Sequence, residues 1–405
     1  MKKKLNIFYI SYDGITDPLG QSQILPYLLG ISKNKIYKIT IVSFEKANNY
    51  LLNKDLILKK ISSNNINWIP LKYTKHPPIL STIWDIYKLN RIIKNLNYLG
   101  VDLIHSRSYI TSIVALAFKK KQNVPFIFDM RGFYADERVD GKIWNLNNFI
   151  HKKIYKYFKN KEKEFLQFSD YTISLTESGK KEILNWKLPN QSPIKVIPCC
   201  TDKKLFNLKN IKNIRADIGF DKDDFIISYV GSIGTWYMLD EMLDFFKCLQ
   251  IKKPNAKFFF ISRDEPQLIL DKVKNKKIDS RLIKIYPSSR EMMPSYIALS
   301  DISIFFILPV YSKKASSPTK MGEIMSLGIP IICNSGVGDV DRIMKDSMEN
   351  FLINDFSYQE YVRVINLVLD DFEFDKQKVI STAHNYFSLE IGIKKYMEVY
   401  NKALN

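Results

Sequence analysis

The stretch "DISIFFILPVYSKKASSPTKMGEIMSLGIPII", residues 301–332, contains two aliphatic runs separated by a polar loop and a helix-like segment. The runs "ISIFFIL" and "IPII" have the composition of strands that are buried on both faces of a parallel sheet. Pro318 suits the first turn of a helix, and Ser316 or Ser317 could cap it. This stretch therefore predicts a strand, a loop, a helix that begins near Thr319, and a second strand.

The same alternation of apolar runs and helical stretches continues along all 405 residues. The first half contains "LNIFYIS", "KITIVSF", "VDLIHS", "PFIFDM" and "YTISLT"; the second contains "DFIISYVG", "AKFFFIS" and "IKIYPS" before the two runs above. The chain is too long for one ordinary core. We therefore predict two doubly wound, Rossmann-like α/β domains, over residues 1–198 and 203–385. The seam lies in "VIPCCTDKKLF", residues 196–206, where a strand-like piece meets a polar turn.

The composition predicts a globular protein of the cytoplasm. Hydrophobic residues make up 46% of the chain and charged residues 25%, and no apolar run approaches the ~20 residues that span a bilayer. The N-terminal "MKKKLNIFYISYDG" has an apolar stretch too short for a signal peptide, so we interpret it as the first strand. The four cysteines and four histidines lack metal-ligand spacing, so we expect no metal site.

The net charge of +19 is concentrated in the first half of the chain. Residues 1–200 carry 32 Lys and Arg against 15 Asp and Glu, whereas residues 201–405 carry 29 against 27. A general enrichment in lysine would raise both halves equally. The asymmetry therefore indicates that the N-terminal half meets an anionic partner, which could be nucleic acid, acidic lipid or an anionic acceptor.

The helix after the opening loop carries two residues suited to a nucleotide. Free N–H groups of its first turn, with Lys320 beside them, would suit a phosphate. Glu323 lies one turn further on, where its carboxylate could accept two hydrogen bonds from a ribose diol. On local spacing alone, the alternative is a solvated pair of opposite charges.

The segment "SPTKMGEIMSLGIPII" resembles the donor-site helix of the retaining, group-1 (family 4) glycosyltransferases of the GT-B fold. In that family two glutamates eight residues apart flank the loop, and the second holds the nucleotide ribose. Glu323 matches the second, whereas the first would fall at Ala315, where this chain departs from the pattern. The resemblance implies two Rossmann-like domains that face an interdomain cleft.

Other segments extend the resemblance over nearly the whole chain. "DGITDPLGQSQILPYL", residues 13–28, occupies the place of a glycine-rich loop near the donor phosphates. Gly20 would allow close backbone approach there, and Gln21 and Ser22 could cap the following helix. "VIPCCTDKKLF" resembles the interdomain segment, and residues 386–405 resemble a closing helix that returns to the N-terminal domain. "YPSSREMM", residues 286–293, resembles the loop that frames the base.

The diphosphate partners depart from the family pattern. Many relatives place an arginine and a lysine in the loop represented here by "YVGSIGTWYMLDEML", residues 229–243, but this chain offers Ser232 and Tyr237. Lys320 and Arg263 could compensate, because a leaving diphosphate needs cationic stabilisation; Arg263 could instead pair with Asp264 or Glu265. The predicted donor and nucleotide site consists of Gly20, Gln21, Ser232, Arg263, Pro318, Thr319, Lys320 and Glu323.

Charged residues also follow two strands of the first domain. Asp129 falls where many family members have a histidine near the anomeric carbon of the donor sugar, and His105 and Arg107 come from the neighbouring loop. We expect these three as catalytic residues that face sugar and acceptor, with Asp129 stabilising oxocarbenium character or orienting the acceptor hydroxyl. The alternative is a solvated loop with internal salt bridges.

The segment "NNFIHKKIYKYFKNKEKEFLQF", residues 147–168, combines apolar residues at helical spacing with six lysines. Such a helix could cover a sheet, or it could rest on anionic lipid, where each lysine near the surface adds about 1 kcal/mol. With the charge asymmetry, the second interpretation predicts a peripheral protein at the inner face of the plasma membrane.

The resemblance implies a metal-independent, retaining glycosyltransferase that uses a nucleotide-diphosphate sugar as co-substrate and needs no other cofactor. The acceptor would be a glycan or a lipid-linked glycan in cell-surface polysaccharide, O-antigen or capsule assembly. Two alternatives belong to other classes. A sugar-nucleotide 2-epimerase has the same architecture, and a nucleic-acid-binding protein would explain the charge, although no recognisable reading module is present and no nucleic acid is expected.

Overall fold

The computed structural model describes residues 4–96, 100–348, 351–369 and 374–405. The chain divides into two compact units: unit 1 comprises Met1–Pro198 and Leu389–Asn405, and unit 2 comprises Cys199–Ser388. The chain thus passes from one unit to the other inside the segment 196–206.

Unit 1 is built on a parallel sheet whose strands, in the described residues, are β1 (Leu5–Ser11), β2 (Tyr37–Glu45), β3 (Ile66–Lys72), β4 (Leu103–Arg107), β5 (Phe126–Asp129), β6 (Tyr171–Ser174) and β7 (Ile194–Val196). Their spatial order is β3-β2-β1-β4-β5-β6-β7. The order reverses between β1 and β4. In an open α/β sheet, ligands bind beyond the carboxyl ends of the strands at such a reversal.

Unit 2 repeats this arrangement with the strands β8 (Phe225–Val230), β9 (Ala256–Ile261), β10 (Ile283–Tyr286), β11 (Ile302–Phe305), β12 (Ile331–Asn334) and β13 (Leu352–Ile353), as far as the structure describes them. Their order is β10-β9-β8-β11-β12-β13, and the pairs are parallel. The order reverses between β8 and β11. Phe258, Phe259 and Phe260 are fully buried, as expected for a strand covered by helices on both faces.

The helices connect successive strands. Unit 1 contains α1 (Pro18–Gln23), α2 (Leu25–Ser32), α3 (Ala47–Ile61), α4 (Leu80–Leu96), α5 (Ser108–Gln122), α6 (Tyr134–Asp140), α7 (Phe149–Phe168) and α8 (Glu177–Asn185). Unit 2 contains α9 (Leu239–Lys252), α10 (Pro266–Asn275), α11 (Met293–Ile297), α12 (Thr319–Ser326), α13 (Val340–Ser347), α14 (Tyr358–Leu369) and α15 (Lys376–Phe387), and the chain ends with α16 (Leu389–Leu404) in unit 1.

The final helix, α16, packs on α2 of unit 1. Gly30 permits this contact, because a Cβ at that position would lie 2.1 Å from Cδ1 of Ile393. The Tyr37 hydroxyl donates a hydrogen bond to Oδ1 of Asn401, at 2.6 Å. The helix begins at Leu389 rather than at residue 386, because residues 386 and 387 complete α15.

The prediction of two doubly wound parallel sheets is confirmed. All ten strands predicted from apolar runs are present, with bounds shifted by at most three residues. The apolar runs did not predict β3, β7 or β13, which lie at the outer positions of the two sheets.

Candidate functional site

The Lys320 ammonium group is buried where β8 and β11 end, at the reversal of strand order in unit 2. Its Nζ donates a hydrogen bond to the Tyr229 hydroxyl at 2.9 Å. It also lies 4.0 Å from the centre of the Tyr229 ring, 3.7 Å from that of Tyr237 and 6.0 Å from that of Phe305. Gly231, with φ of 103°, leaves room beside it, since a Cβ there would be 3.4 Å from Nζ. The side chain is thus enclosed by aromatic rings and a bare stretch of backbone.

This environment disfavours the charged amine. Burial lowers the pKa of Lys320 well below its usual value, and the nearby carboxylates of Glu323 and Asp264 offset only part of that effect. The Tyr229 hydroxyl also donates to the carbonyl oxygen of Ser232, at 2.5 Å. A polyanion placed next to Lys320 would restore the preference for the ammonium form.

Glu323 lies on the same helix, one turn after Lys320, and is 5% exposed. Its Oε1 accepts a hydrogen bond from Nη1 of Arg290. The guanidinium of Arg290 in turn stacks on the Phe206 ring, with its carbon 4.8 Å from the ring centre. Ala315, where the family pattern has its first glutamate, is 2% exposed and therefore buried. The carboxylate of Glu323 is fixed in direction by one charge-assisted bond.

The first turn of α12 differs from the prediction. Pro318 occupies the N-cap position, Thr319 is the first helical residue, and no side chain caps this turn within the described residues. Ser317 does not act as a cap, because its hydroxyl accepts a hydrogen bond from the Cys199 N–H at 3.2 Å. The prediction of a serine cap is therefore wrong, and the turn keeps its N–H groups clear of capping side chains.

Arg263 and Ser232 lie in the loops that follow β9 and β8. Arg263 is exposed, and its Nε and Nη2 donate to the Ser288 carbonyl at 3.0 and 2.7 Å, rather than to a neighbouring carboxylate. These two hydrogen bonds from Arg263 hold the loop 286–293 in place, and that loop carries Arg290. The Ser232 carbonyl oxygen accepts the hydrogen bond from the Tyr229 hydroxyl that is described above. In the next loop, Asp264 accepts a hydrogen bond from the Ile233 N–H.

The loop after β1 is organised by a buried carboxylate. Both oxygens of Glu45 are used, accepting from the Ile15 N–H at 2.9 Å and from the Thr16 N–H at 3.1 Å. A Cβ on Gly20 would lie 2.1 Å from the Gly14 carbonyl oxygen, so close backbone packing already requires glycine there.

Gln21 does not cap a helix, because α1 begins three residues before it, at Pro18. Its Nε2 donates instead to the Thr16 carbonyl at 3.0 Å. The predicted capping role is therefore wrong. Gly20 and Gln21 both contribute to the packing of this loop. That packing is sufficient to explain why residue 20 is a glycine, without a bound phosphate.

Asp129, His105 and Arg107 do lie together, at the ends of β5 and β4. Oδ2 of Asp129 is 3.5 Å from Nε2 of His105 and 3.8 Å from Nη1 of Arg107, and it accepts from the Tyr396 hydroxyl at 3.0 Å. The other ring nitrogen of His105, Nδ1, lies 2.7 Å from the Tyr400 hydroxyl. The three side chains are only 0%, 1% and 2% exposed. They are held in the interior by α16, which differs from the expectation that they face sugar and acceptor.

The charges in this cluster are set by burial and by two arginines. Burial alone would raise the pKa of Asp129, but Arg131, His105 and Arg107 more than offset this and lower it to about 2. Burial lowers the pKa of His105, with Asp129 opposing, so the imidazole is neutral near pH 7. The cluster is therefore a buried carboxylate held between cations.

The residues that sequence reasoning missed are Arg290 and Lys313. Arg290 was within the predicted base-framing loop but had no role. Lys313 is 5% exposed and its Nζ lies 3.7 Å from the centre of the Trp236 ring. Within the described residues, no group of three or more His, Cys, Asp or Glu could hold a metal ion. None of the described helices combines the length and apolar character needed to cross a bilayer.

Two known families match this chain in tandem. Residues 38–205 match "Glycosyltransferase Family 4", and residues 210–383 match "Glycosyl transferases group 1". The chain belongs to the group-1 glycosyltransferases. The GT-B assignment drawn from "SPTKMGEIMSLGIPII" is confirmed, and this glycosyltransferase has the two Rossmann-like sheets of that fold.

Solved structures share the fold at low identity. Sucrose-phosphate synthase from Thermosynechococcus elongatus is similar over 98% of both chains, with 15% identity and a TM-score of 0.74. Anabaena HepE in complex with UDP and glucose is similar over 98% of this chain and 99% of that one, with 13% identity and a TM-score of 0.71. Both likenesses concern the fold.

One curated relative is similar in sequence. It is the alpha-monoglucosyldiacylglycerol synthase of Acholeplasma laidlawii, 18% identical over 285 residues. The match covers 66% of each chain, just under two thirds of that relative. Epimerases share this fold, so the fold alone does not distinguish the two reactions. Membership of a glycosyltransferase family favours glycosyl transfer over the epimerase and nucleic-acid alternatives.

We predict that Asp129→Asn destabilises unit 1. Removing the anion leaves Arg107 and Arg131 buried beside a neutral amide, which costs about 3 kcal/mol of unfolding free energy. Asp13→Asn is the matched control, because Oδ2 of Asp13 also accepts from Arg107, at 3.2 Å, but its side chain is 43% exposed. Its cost should be below about 1 kcal/mol. Urea unfolding at pH 7 measures both.

The same carboxylate predicts an acid dependence. Because folding lowers the pKa of Asp129 to about 2, its stabilisation is complete above the unfolded pKa of about 3.9 and is lost as pH falls toward 2. Wild type should therefore lose more unfolding free energy than Asp129→Asn between about pH 4 and pH 2. Equal losses for the two proteins, or equal costs for the two asparagine variants at pH 7, would contradict this assignment.

We predict that Lys320→Met stabilises the protein. Methionine fills a similar volume without an amine to desolvate, and the Tyr229 hydroxyl keeps its bond to Ser232, so the unfolding free energy should rise by about 1 kcal/mol. Lys314→Met, at an exposed lysine before the same helix, should change it by less than about 0.5 kcal/mol. Thermal or urea unfolding without nucleotide is the measurement, and a destabilised Lys320→Met would show that the amine contributes to folding.

Proposed function

We propose that this glycosyltransferase moves a sugar from a nucleotide-diphosphate sugar to a glycan or lipid-linked acceptor. The observation that carries the proposal is the pair Lys320 and Glu323 on α12. One is a buried cation without a carboxylate in hydrogen-bond contact, and the other a buried, directed carboxylate one turn away. A buried amine enclosed by aromatic rings lacks the anion that would stabilise its charge.

In this proposal Lys320 and the first-turn N–H groups at Thr319 hold the diphosphate, with Pro318 shaping the turn. Negative charge grows on the diphosphate as the bond to the sugar breaks, and the Lys320 amine, which a neighbouring polyanion returns to its ammonium form, stabilises that charge strongly in a dry site. Glu323 accepts hydrogen bonds from the ribose hydroxyls through the lone pairs that Arg290 leaves free. Arg263 acts indirectly, by fixing the loop that carries Arg290.

The comparisons support a nucleotide with two phosphates. HepE is a structural neighbour in complex with UDP and glucose, and the curated relative is an alpha-monoglucosyldiacylglycerol synthase. From these two similarities we propose that the donor is a nucleoside-diphosphate sugar. A hydroxyl on a lipid or a lipid-linked glycan, in cell-surface polysaccharide assembly, is the proposed acceptor.

For the transfer step we propose retention of configuration. The bond from the anomeric carbon to the diphosphate oxygen breaks, and the acceptor oxygen bonds to the same face of that carbon. The leaving diphosphate takes the proton of the acceptor hydroxyl, so the products are the glycoside and the protonated nucleoside diphosphate. No step requires an oxidant or a further co-reactant.

Burial favours a positioning role for Asp129, His105 and Arg107. They anchor the ends of β4 and β5, where Ser108 and Arg131 adopt left-handed backbone conformations with φ of 69° and 61°. Such strain persists only where the surroundings hold it, and it is common at binding sites. We propose that the cluster fixes these two loops for acceptor binding, rather than touching the reacting atoms.

Contact with an anionic membrane is part of the proposal. Helix α7 buries Phe158 and Phe165, but Phe149 and Ile150 at its start are 67% and 57% exposed, beside several of its lysines. A helix that only covered a sheet would bury its apolar residues. This exposure, with the excess positive charge of residues 1–200, favours peripheral attachment at an anionic surface.

The test is calorimetric titration of UDP, GDP, ADP, CMP and inorganic pyrophosphate into wild type, Glu323→Ala and Lys320→Met. One nucleoside diphosphate should bind best. Glu323→Ala should weaken it on the order of 10- to 100-fold, because ribose hydrogen bonds to a charged group are lost. The same variant should leave pyrophosphate affinity unchanged or higher, whereas Lys320→Met should weaken both ligands.

The pyrophosphate titration separates the two roles. If Glu323→Ala weakened pyrophosphate and nucleotide equally, the ribose assignment would fail. If no nucleotide bound to wild type, the donor site itself would be wrong.

A further inference from the structure

Unit 1 contains a cavity of about 630 Å³ that the proposed donor site does not use. This volume falls in the range of about 300–1,000 Å³ that is typical of small-molecule sites. Its wall is mostly apolar and aromatic: Ile79, Ile83, Ile86, Ile110, Ile113 and Trp144 represent it. Segments from the loop after β1 to the first turns of α7 supply the lining, so the cavity belongs to unit 1 alone.

The charged residues that line this cavity all have the same sign. Lys75, Arg138 and Lys153 contribute to the wall, and no acidic residue does so within the described part of the chain. The Arg138 guanidinium lies 4.9 Å from the centre of the Tyr134 ring, and Nζ of Lys153 lies 4.2 Å from that of Phe149. None of the three cations pairs with a described carboxylate. The cavity therefore combines an apolar interior with cations available to an anion.

Large apolar side chains are exposed on the elements that line this cavity. In α4 these are Leu80, Ile83 and Trp84, which are 63%, 56% and 53% exposed. Before and within α7 they are Ile143, Leu146, Phe149, Ile150 and Tyr157, which are 37–67% exposed. Several exposed apolar side chains grouped on one surface indicate an interaction site, whereas single exposed apolar side chains are common and need no explanation.

The backbone at the edge of the cavity is also unusual. Ile79 adopts φ of 70°, a left-handed conformation that a β-branched residue rarely tolerates. Its side chain lines the cavity and is 45% exposed. Strain of this kind tends to occur where a segment is shaped for a ligand.

We propose that this cavity binds the apolar chain of an amphiphilic acceptor lipid, whose anionic head group pairs with Lys75, Arg138 and Lys153. The inference rests on the proposed function, since it identifies the acceptor as a lipid that carries a phosphate. The apolar wall of the cavity would contact the chain of such a lipid, and the cations would pair with its anionic head group. Free phosphate would leave the apolar wall unused, and a neutral lipid would leave three cations without a partner.

The probe is decyl phosphate, titrated below its micellar concentration by calorimetry into the full-length protein. Decyl phosphate should bind at least about tenfold more tightly than decanol or inorganic phosphate, because each of these offers only half of the contacts. Shortening the chain to octyl phosphate should weaken binding by about fourfold for each methylene removed. A chain-length dependence below about twofold per methylene would overturn a buried chain.

Variants separate this cavity from the membrane-facing surface. Ile113→Trp, which fills the cavity, should weaken decyl phosphate by about tenfold or more. Lys153→Ala and Arg138→Ala should weaken decyl phosphate several-fold and leave decanol unchanged. Lys152→Ala is the matched control, since it removes an exposed lysine one residue earlier in α7 that does not line the cavity.

Equal losses in Lys152→Ala and Lys153→Ala would indicate surface attraction to anions and would overturn the cavity. Equal affinity for inorganic phosphate and decyl phosphate would do the same. Each variant is also titrated with the nucleoside diphosphate that wild type binds. Retained nucleotide binding shows that a variant is folded, and it separates failure of this inference from failure of the donor site.

Discussion

Enclosing the Lys320 amine between the rings of Tyr229 and Tyr237 is the constraint on which the site in unit 2 depends. A desolvated amine destabilises the folded chain unless its charge is balanced, and the only close polar partner described for it is a neutral hydroxyl at 2.9 Å. The fold tolerates this because unit 2 buries a large apolar core of its own. In the proposed donor site, a bound diphosphate would balance that charge and recover this cost.

The topology explains why the amine is at this place. Strand order in unit 2 reverses between β8 and β11, and ligands of open α/β sheets bind beyond the carboxyl ends of the strands at such a reversal. Helix α12 follows β11, so its first turn places Lys320 beside Tyr229 at the end of β8, and the next turn brings Glu323 to Arg290. Gly231 completes the arrangement, since φ of 103° and the absence of a side chain let its backbone pass close to Nζ.

Apolar runs were sufficient to predict ten strands of the two sheets, because buried parallel strands are a local pattern. The donor-site role of Lys320 and Glu323 stays a prediction, and it rests on helix spacing together with the family resemblance. Strand β3 was missed because "INWIPLK" contains Asn67 and Pro70 and pairs on one side only, with β2. Arg290 could not be assigned, since its bond to Glu323 joins positions 33 residues apart. Likewise, nothing local indicates that α16 would bury Asp129 and its neighbours.

Unit 2 thus contains a buried amine that we propose binds a polyanion. Unit 1 contains an apolar cavity that is also lined by cations. The most direct test of the role of Lys320 is the NMR titration of the lysine side-chain Cε resonances, with Lys320 assigned from Lys320→Arg. We predict that Lys320 titrates below the other lysines, since burial lowers its pKa, and that the bound nucleoside diphosphate raises this pKa. A Lys320 resonance that titrates with the surface lysines and does not respond to nucleotide would contradict it.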